Sequence, residues 1–397
     1  MKKLVIVVLF LCAAFASAQT VENSIQKRKF GEGILNYTGA DDSWAIKMGA
    51  RMQLLSTFSL DENKSLKDFE SSALLRRFRL KFDGFAYSPK LKYKLELGLS
   101  NNDLSGSSSA TKGSDRLVLD AVVMWNFSGN FELWYGQTKL PGNIERVISS
   151  ANLQLVDRSR LNKEFTIDRE FGFQLRHHFN LTDKFVVREK FAISQGEARN
   201  VTIDNNGGHQ YTGRLELLPF GLFESKGDYS GGDLKREKTP KLMLSAGYNF
   251  IDDAVREKGN QGSYFLGLDA DDDADVLQTI ATDVNTLFVD AMFKYKGFSF
   301  MGEYADRNAK DETNVRVGSG LNLSAGYLMK SNWEIAGRYT NISLLGPAKT
   351  EDRNEYTLGV SRYIAGHKLK VQSDLSYINV VGEANTVGVR FQVEIHL

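Results

Sequence analysis

Cysteine is nearly missing from this chain: Cys12 is the single one in 397 residues. That count excludes a disulfide framework and any Cys-based zinc site. Proline is scarce at 5 residues, and net charge is almost absent, with 50 Lys+Arg against 49 Asp+Glu. A chain so balanced has no bulk positive field for nucleic acid and no acidic tail. No apolar run reaches the roughly 20 residues that a helix needs to cross a bilayer. What is present is an aromatic content of 11%, including 25 Phe and 15 Tyr, beside a mean hydropathy of −0.31. Strands that carry apolar side chains on one face and polar ones on the other produce that average.

The N-terminus reads as an export signal. Lys2 and Lys3 form a basic start, Leu4 to Phe15 an apolar stretch, and Ala16-Ser17-Ala18 a small-residue cleavage site. Cleavage before Gln19 makes 1–18 a signal peptide and takes Cys12 with it. A lipoprotein would use Cys12, but Leu11 stands where a small residue is required. The mature chain then holds 48 basic residues, two fewer than the full chain, against 49 acidic ones.

From residue 44 onward a period of two persists to the last residue. Trp44, Ile46, Met48, Ala50, Met52 and Leu54 share one face, with Lys47, Gly49, Arg51 and Gln53 on the other. Phe78, Leu80 and Phe82 alternate with Arg77, Arg79, Lys81 and Asp83, and Leu91 to Leu99 alternate with Lys92, Lys94 and Glu96. Leu117, Leu119, Ala121, Val123, Trp125 and Phe127 give a fourth apolar face. About sixteen such segments follow one another, each near the 9–11 residues of a tilted membrane strand. Tight turns such as Ser128-Gly129-Asn130 and Lys296-Gly297 alternate with long polar loops, and the connection 219–240 is long where a short turn is due.

In lipid every backbone N–H and C=O must be paired, so a sheet crosses only as a closed barrel. A soluble β-sandwich, with the apolar face inward, is the competing reading. Tyr and Trp at segment ends on the apolar face (Trp44, Trp125, Trp333, Tyr356) favour a membrane-interface girdle instead. The expected fold is therefore all-β: a transmembrane antiparallel barrel of about 16 strands over 44–397, preceded by a periplasmic segment, 19–43.

The inward charges suggest a function. Lys47, Arg51, Arg77, Arg79, Lys81, Lys92 and Lys94 fall on the lumen face of the first three strands, against Asp83 and Glu96. Such a stripe lowers the barrier for anions, and Arg can hold a phosphate or carboxylate bidentately. Lys81 and Lys92 flank one tight turn and are expected close together. Rows of opposite charge facing across a lumen are the blander explanation, because Arg176, Arg188, Lys190 and Arg214 meet Glu170 and Glu216 later in the chain. The loop 139–167 carries Lys139 and Arg146 together with Ile144, Val147, Ile148, Leu153, Leu155 and Val156. It is too apolar to be left in water, which favours folding inward as a constriction.

These residues carry a family likeness. Arg76 to Gly84 resembles the RRxRLxFxG strand of the phosphate-selective porin O and P family, and Tyr135 to Gly142 resembles its GQxKxPFG stretch into the constriction loop. Asp168 to Gly172 is similar to the family's RDxG strand entry, and Leu218 to Gly221 and Gly227 to Lys241 look like its Bacteroidetes branch. The resemblance implies a sixteen-stranded, trimeric porin of the Gram-negative outer membrane, with Arg77, Arg79 and Lys139 matching the basic constriction residues. Gly142 departs from the pattern where Phe is common, and the chain ends in Leu397, not an aromatic residue.

The expected function is passive diffusion of small polar solutes, with a preference for phosphate-like anions. Lipid and lipopolysaccharide are the surrounding partners, and neither a cofactor nor nucleic acid is expected. The alternative is a structural or secretion-associated barrel that docks a periplasmic partner through 219–240. An enzyme is disfavoured, since none of the five His pairs with a convincing Ser or metal set. The acidic run Asp269 to Asp275 lacks the Gly and closing Glu of a calcium loop, and it reads as a solvated loop. A TonB-coupled transporter would need 22 strands and a plug domain, too much for this length.

Overall fold

The computed structural model describes residues 29–104, 116–201 and 205–397. The expected signal peptide, 1–18, lies outside the described residues. A short strand, β1 (Leu35–Thr38), precedes β2 (Trp44–Asp61), β3 (Glu70–Ala86), β4 (Ser88–Gly98), β5 (Val118–Ser128) and β6 (Phe131–Lys139). Next come β7 (Arg169–Asn180), β8 (Val186–Ser194), β9 (Gln210–Leu218), β10 (Lys241–Ala254), β11 (Thr282–Tyr295) and β12 (Phe298–Ala309). The last five are β13 (Gly318–Leu328), β14 (Trp333–Leu344), β15 (Arg353–Tyr363), β16 (Leu369–Val380) and β17 (Thr386–His396).

Each strand from β2 onward pairs antiparallel with the next, and β17 closes on β2 from Thr386↔Asp61 to His396↔Arg51. Sixteen strands among the described residues thus form one closed barrel, and all sixteen expected segments are strands. The C-terminus is built into the seam: Leu397 N–H donates to the Ala50 carbonyl at 2.8 Å. Below that point β1 takes over the edge of β2, with Leu35↔Met48 to Thr38↔Ala45 in register. The edge of β2 is thus still paired where the terminal strand ends, as a membrane wall requires.

The distribution of side chains is the inverse of a soluble protein's. Tyr356, Leu358 and Val360 of β15 are half-exposed on the outside, whereas Arg307, Lys370, Glu394 and Gln53 are fully buried inside. Alternation decides this, because each strand offers one face to lipid and one to the lumen. Aromatic rings meet across strands on the outer face, as in Tyr339–Tyr356 (5.1 Å) and Tyr37–Trp44 (5.2 Å). One barrel end carries tight turns. Lys296 and Gly297 both take positive φ there, as a two-residue hairpin loop demands. The other end carries the long loops, and in one of them the Asp269 carboxylate accepts the backbone N–H groups of Asp271 and Asp272.

Two of the β-bulges, on β3 and β5, interrupt the alternation of this wall near the mouth. Gln53 pairs with Arg77 but Leu54 with Leu75, so Arg76 is the extra residue. Glu96 pairs with Asp120 but Leu97 with Val118, so Leu119 is extra on β5. A bulge re-aims side chains. It turns Leu119, placed on the lipid face by simple alternation, inward to 1% exposure.

Candidate functional site: a cationic lane along one wall

Three segments enter the barrel and pack against β8–β16. The loop 140–168 carries the helical turns Ile144–Val147, Ser150–Asn152 and Arg160–Phe165. Ile144, Ile148 and Leu153 pack on Val186, Leu218, Met243 and Met292, while Leu161 and Phe165 pack on Phe288, Ala305 and Ile342. The apolar content of this loop is therefore matched by an apolar patch on the lumen wall, which alternation alone does not reveal. Polar anchors fix it further. Lys370 Nζ donates to the Leu153 carbonyl at 2.8 Å, Arg307 donates to the carbonyls of Glu164 and Phe165, and the backbone N–H of Glu145 donates to Glu303 at 2.8 Å.

The connection 219–240 enters from the turn end and meets that loop: Gly231 N–H donates to the Asn152 carbonyl at 2.6 Å. Lys294 Nζ holds the carbonyls of Gly227 and Ser230 at 2.7 Å each, and that of Gly232 as well. Asp228 is ion-paired with Arg188, and the Asp233 carboxylate accepts from Gly297 N–H at 2.8 Å. Its length thus serves an inward fold, with Asp228, Asp233 and Glu237 buried and Lys235 and Lys238 left exposed. At the opposite mouth Val255, Tyr264, Phe265 and Leu277 pack on Ile251, Val284, Val315 and Val317.

What remains open runs along β2–β7. A cavity of about 500 Å³ is lined by eleven Lys/Arg (Arg76, Arg77, Arg79, Lys94, Arg116, Lys139, Arg146, Arg158, Arg169, Arg176 and Arg199) and by four acids, Glu96, Asp103, Asp120 and Asp168. A second space of about 370 Å³ continues toward the turn end past Lys47, Arg51, Lys81 and Lys368. The two share Arg79, Lys94, Glu96 and Ser149, so they form one lane.

Eight of the nine residues singled out in the sequence line this lane; the ninth, Lys92, lines neither space. Lys92 stands near the turn opposite Phe85, whereas Lys81 stands opposite Glu96. Four residues of strand, about 13 Å, separate Lys81 and Lys92, so the expectation that they are close is corrected by the register. The cations are not bare. Arg79 makes two hydrogen bonds to Asp103 (2.6 and 3.1 Å) and one to Glu96 (3.0 Å), and Lys94 pairs with Asp120 at 2.8 Å and Glu96 at 3.2 Å. Arg51 donates to Ser150 Oγ at 2.5 Å, Lys81 pairs with Asp83 at 2.9 Å, and Arg146 pairs with Asp168.

Lys139 is held differently. Its Nζ donates to the carbonyls of Arg146 (2.7 Å), Val147 (3.3 Å) and Ile148 (3.2 Å), and Arg158 Nη2 reaches the same Ile148 carbonyl at 2.7 Å. Two cations thus converge on the carbonyl end of one helical turn, where its unpaired carbonyls and dipole favour them. Burial, ahead of the opposing charges of Glu145 and Asp157, pushes Arg158 down to about 10. It stays cationic at neutral pH.

The sequence reading missed Arg76, which the bulge turns inward onto Asp157 at 2.7 Å, with Arg77 at 3.6 Å from the same carboxylate. It also passed over Asp120, although its place opposite the apolar face of β5 was a readable signal. Arg116 and Arg199 come from loops, where alternation says nothing.

A closed barrel of sixteen antiparallel strands, apolar outside and polar within, narrowed by an inward loop, is an outer-membrane channel. The chain belongs to the phosphate-selective porin O and P family, whose model matches residues 46–249, just over half of its length. No curated protein matches the chain. Among solved structures the fold is similar to the anion-selective porin from Comamonas acidovorans, at 13% identity over 89% of this chain and 100% of that one, with a TM-score of 0.54. Salmonella typhi OmpF is similar at 12% identity over 91% and 100%, TM-score 0.55. The trimer form of Vibrio cholerae OmpT is similar at 14% identity over 89% and 100%, TM-score 0.50. At these identities the likeness is one of fold.

Proposed function

We propose that this channel is a passive diffusion porin that prefers small anions of the phosphate type. The excess of eleven cationic over four acidic side chains around the 500 Å³ cavity carries the reading. In a narrow aqueous path walled by low-dielectric protein, a net positive lining lowers the entry barrier for anions and raises it for cations. Ion pairing with Glu96, Asp103, Asp120 and Asp168 keeps each binding step weak, so that a solute leaves as readily as it enters. Lys139, Arg146, Arg77 and Arg79 supply the central charges, and Lys47, Arg51, Lys81 and Lys94 supply the field on the turn side. In this reading residues 19–43 and the entrance of 219–240 face the periplasm, the long loops face lipopolysaccharide, and the protein assembles as a homotrimer. The family and the anion-selective neighbour support the solute class.

The test is a reversal potential in a planar bilayer under a salt gradient. An anion-preferring sign supports the proposal, and a cation-preferring sign overturns it.

A further inference from the structure

The lane holds one side chain that an inorganic anion does not require. Trp134 is the single aromatic among the described residues lining the 500 Å³ cavity. Its neighbour Tyr135 points to lipid at 48% exposure, as most aromatic side chains of this wall do. Trp134 belongs to none of the buried apolar clusters, so packing does not account for it. Its indole N–H donates to Glu132 at 2.9 Å, and the Arg176 guanidinium lies over the ring at 3.6 Å from the centroid. Arg176 also donates through Nη2 to Gln174 at 2.7 Å. A flat apolar ring and a cation laid on it, both partly exposed, therefore share one place on the wall. The space available falls in the range of about 300–1,000 Å³ that organic ligands occupy.

We infer that the lane admits organic anions that carry a flat ring, the ring stacking at Trp134 while the phosphate or carboxylate engages Arg176. The inference rests on the channel reading above and narrows its solute class. A hydrated inorganic anion gains nothing from an indole face, whereas an aromatic pair adds attraction beyond the area it buries. An arginine already laid on the ring orients an anionic substituent beside the stacked face.

The full-length protein in planar bilayers provides the test, with block of the single-channel current by phenyl phosphate compared with block by inorganic phosphate. Phenyl phosphate should reach half-block at a concentration about five- to tenfold lower. In Trp134→Ala that gap should close, and Trp134→Leu, which keeps apolar bulk, serves if the alanine variant does not fold. Equal block in the native protein, or a gap that persists in both variants, overturns the inference. Stable anion-preferring steps without a gap overturn the stacking alone, while the absence of steps overturns the channel reading and the inference with it.

Discussion

Arg76 and Arg77 both reach the lumen because β3 holds one residue more than β2 at that point, and Asp157 at the loop tip answers them. This carboxylate is the counter-charge of Arg76 and Arg77, added to the four acids that line the cavity itself. Asp157→Asn should therefore strengthen anion preference, and Arg77→Glu with Arg79→Glu should weaken it while the barrel still folds. Reversal potentials that move in the same direction for both variants would contradict the assignment. Gly136 is a different kind of requirement. Its φ is +124°, and a Cβ there would sit 2.3 Å from the Ala121 carbonyl oxygen. Gly136→Ala should cost about 1–3 kcal/mol through backbone strain, read as a lower urea midpoint of the refolded barrel in vesicles. An unchanged midpoint would show that β5 and β6 can shift apart there.

At the scale of elements, the loop 140–168 is held by charge as well as by its apolar side chains. Glu164 faces Lys258 at 3.1 Å, Arg160 at 3.4 Å, and Arg316. Burial alone would raise its pKa, but Lys258 and Arg316 overcome that and hold the carboxyl down at about 2. The folded value lies below the roughly 4.3 of a free Glu, so docking of the loop is stabilised above that pH and the contribution is lost as pH falls through about 2. Single-channel conductance should be steady from pH 7 to 5 and change below about 4.3, and Glu164→Gln should remove that acid-dependent change. The segment 219–240 depends on Lys294, which holds three of its carbonyls. Lys294→Met should free it and raise conductance and current noise; an unaltered trace would mean that the other anchors suffice.

For the whole molecule, alternation made the sixteen strands legible, because one face of each strand meets lipid and the other does not. Six of the nine expected residues that line the lane (Lys47, Arg51, Arg77, Arg79, Lys81 and Lys94) follow from the same rule, whereas Lys139 and Arg146 come from the loop that carries them. The rule failed where the backbone departs from it: at the bulges of Arg76 and Leu119, and at loop residues such as Arg116 and Arg199. The inward fold of 219–240 was equally illegible. Its anchors, Arg188, Lys294 and Gly297, are distant in sequence, and only closure of the barrel brings them together. The result is a lumen divided lengthwise, one half packed as a core and the other left as a cationic lane. The packed half engages its own cations, as Arg214 shows with Glu216 at 2.8 Å and Asp290 at 2.5 Å, so the open half sets the field.

The central claim is that this half conducts and selects. The reversal potential of the native protein, measured on single steps in a planar bilayer under a potassium chloride gradient, tests it most directly. Large stable steps with a reversal potential displaced toward the chloride equilibrium are the predicted result. Displacement toward the potassium equilibrium, or a barrel that never conducts, would contradict it.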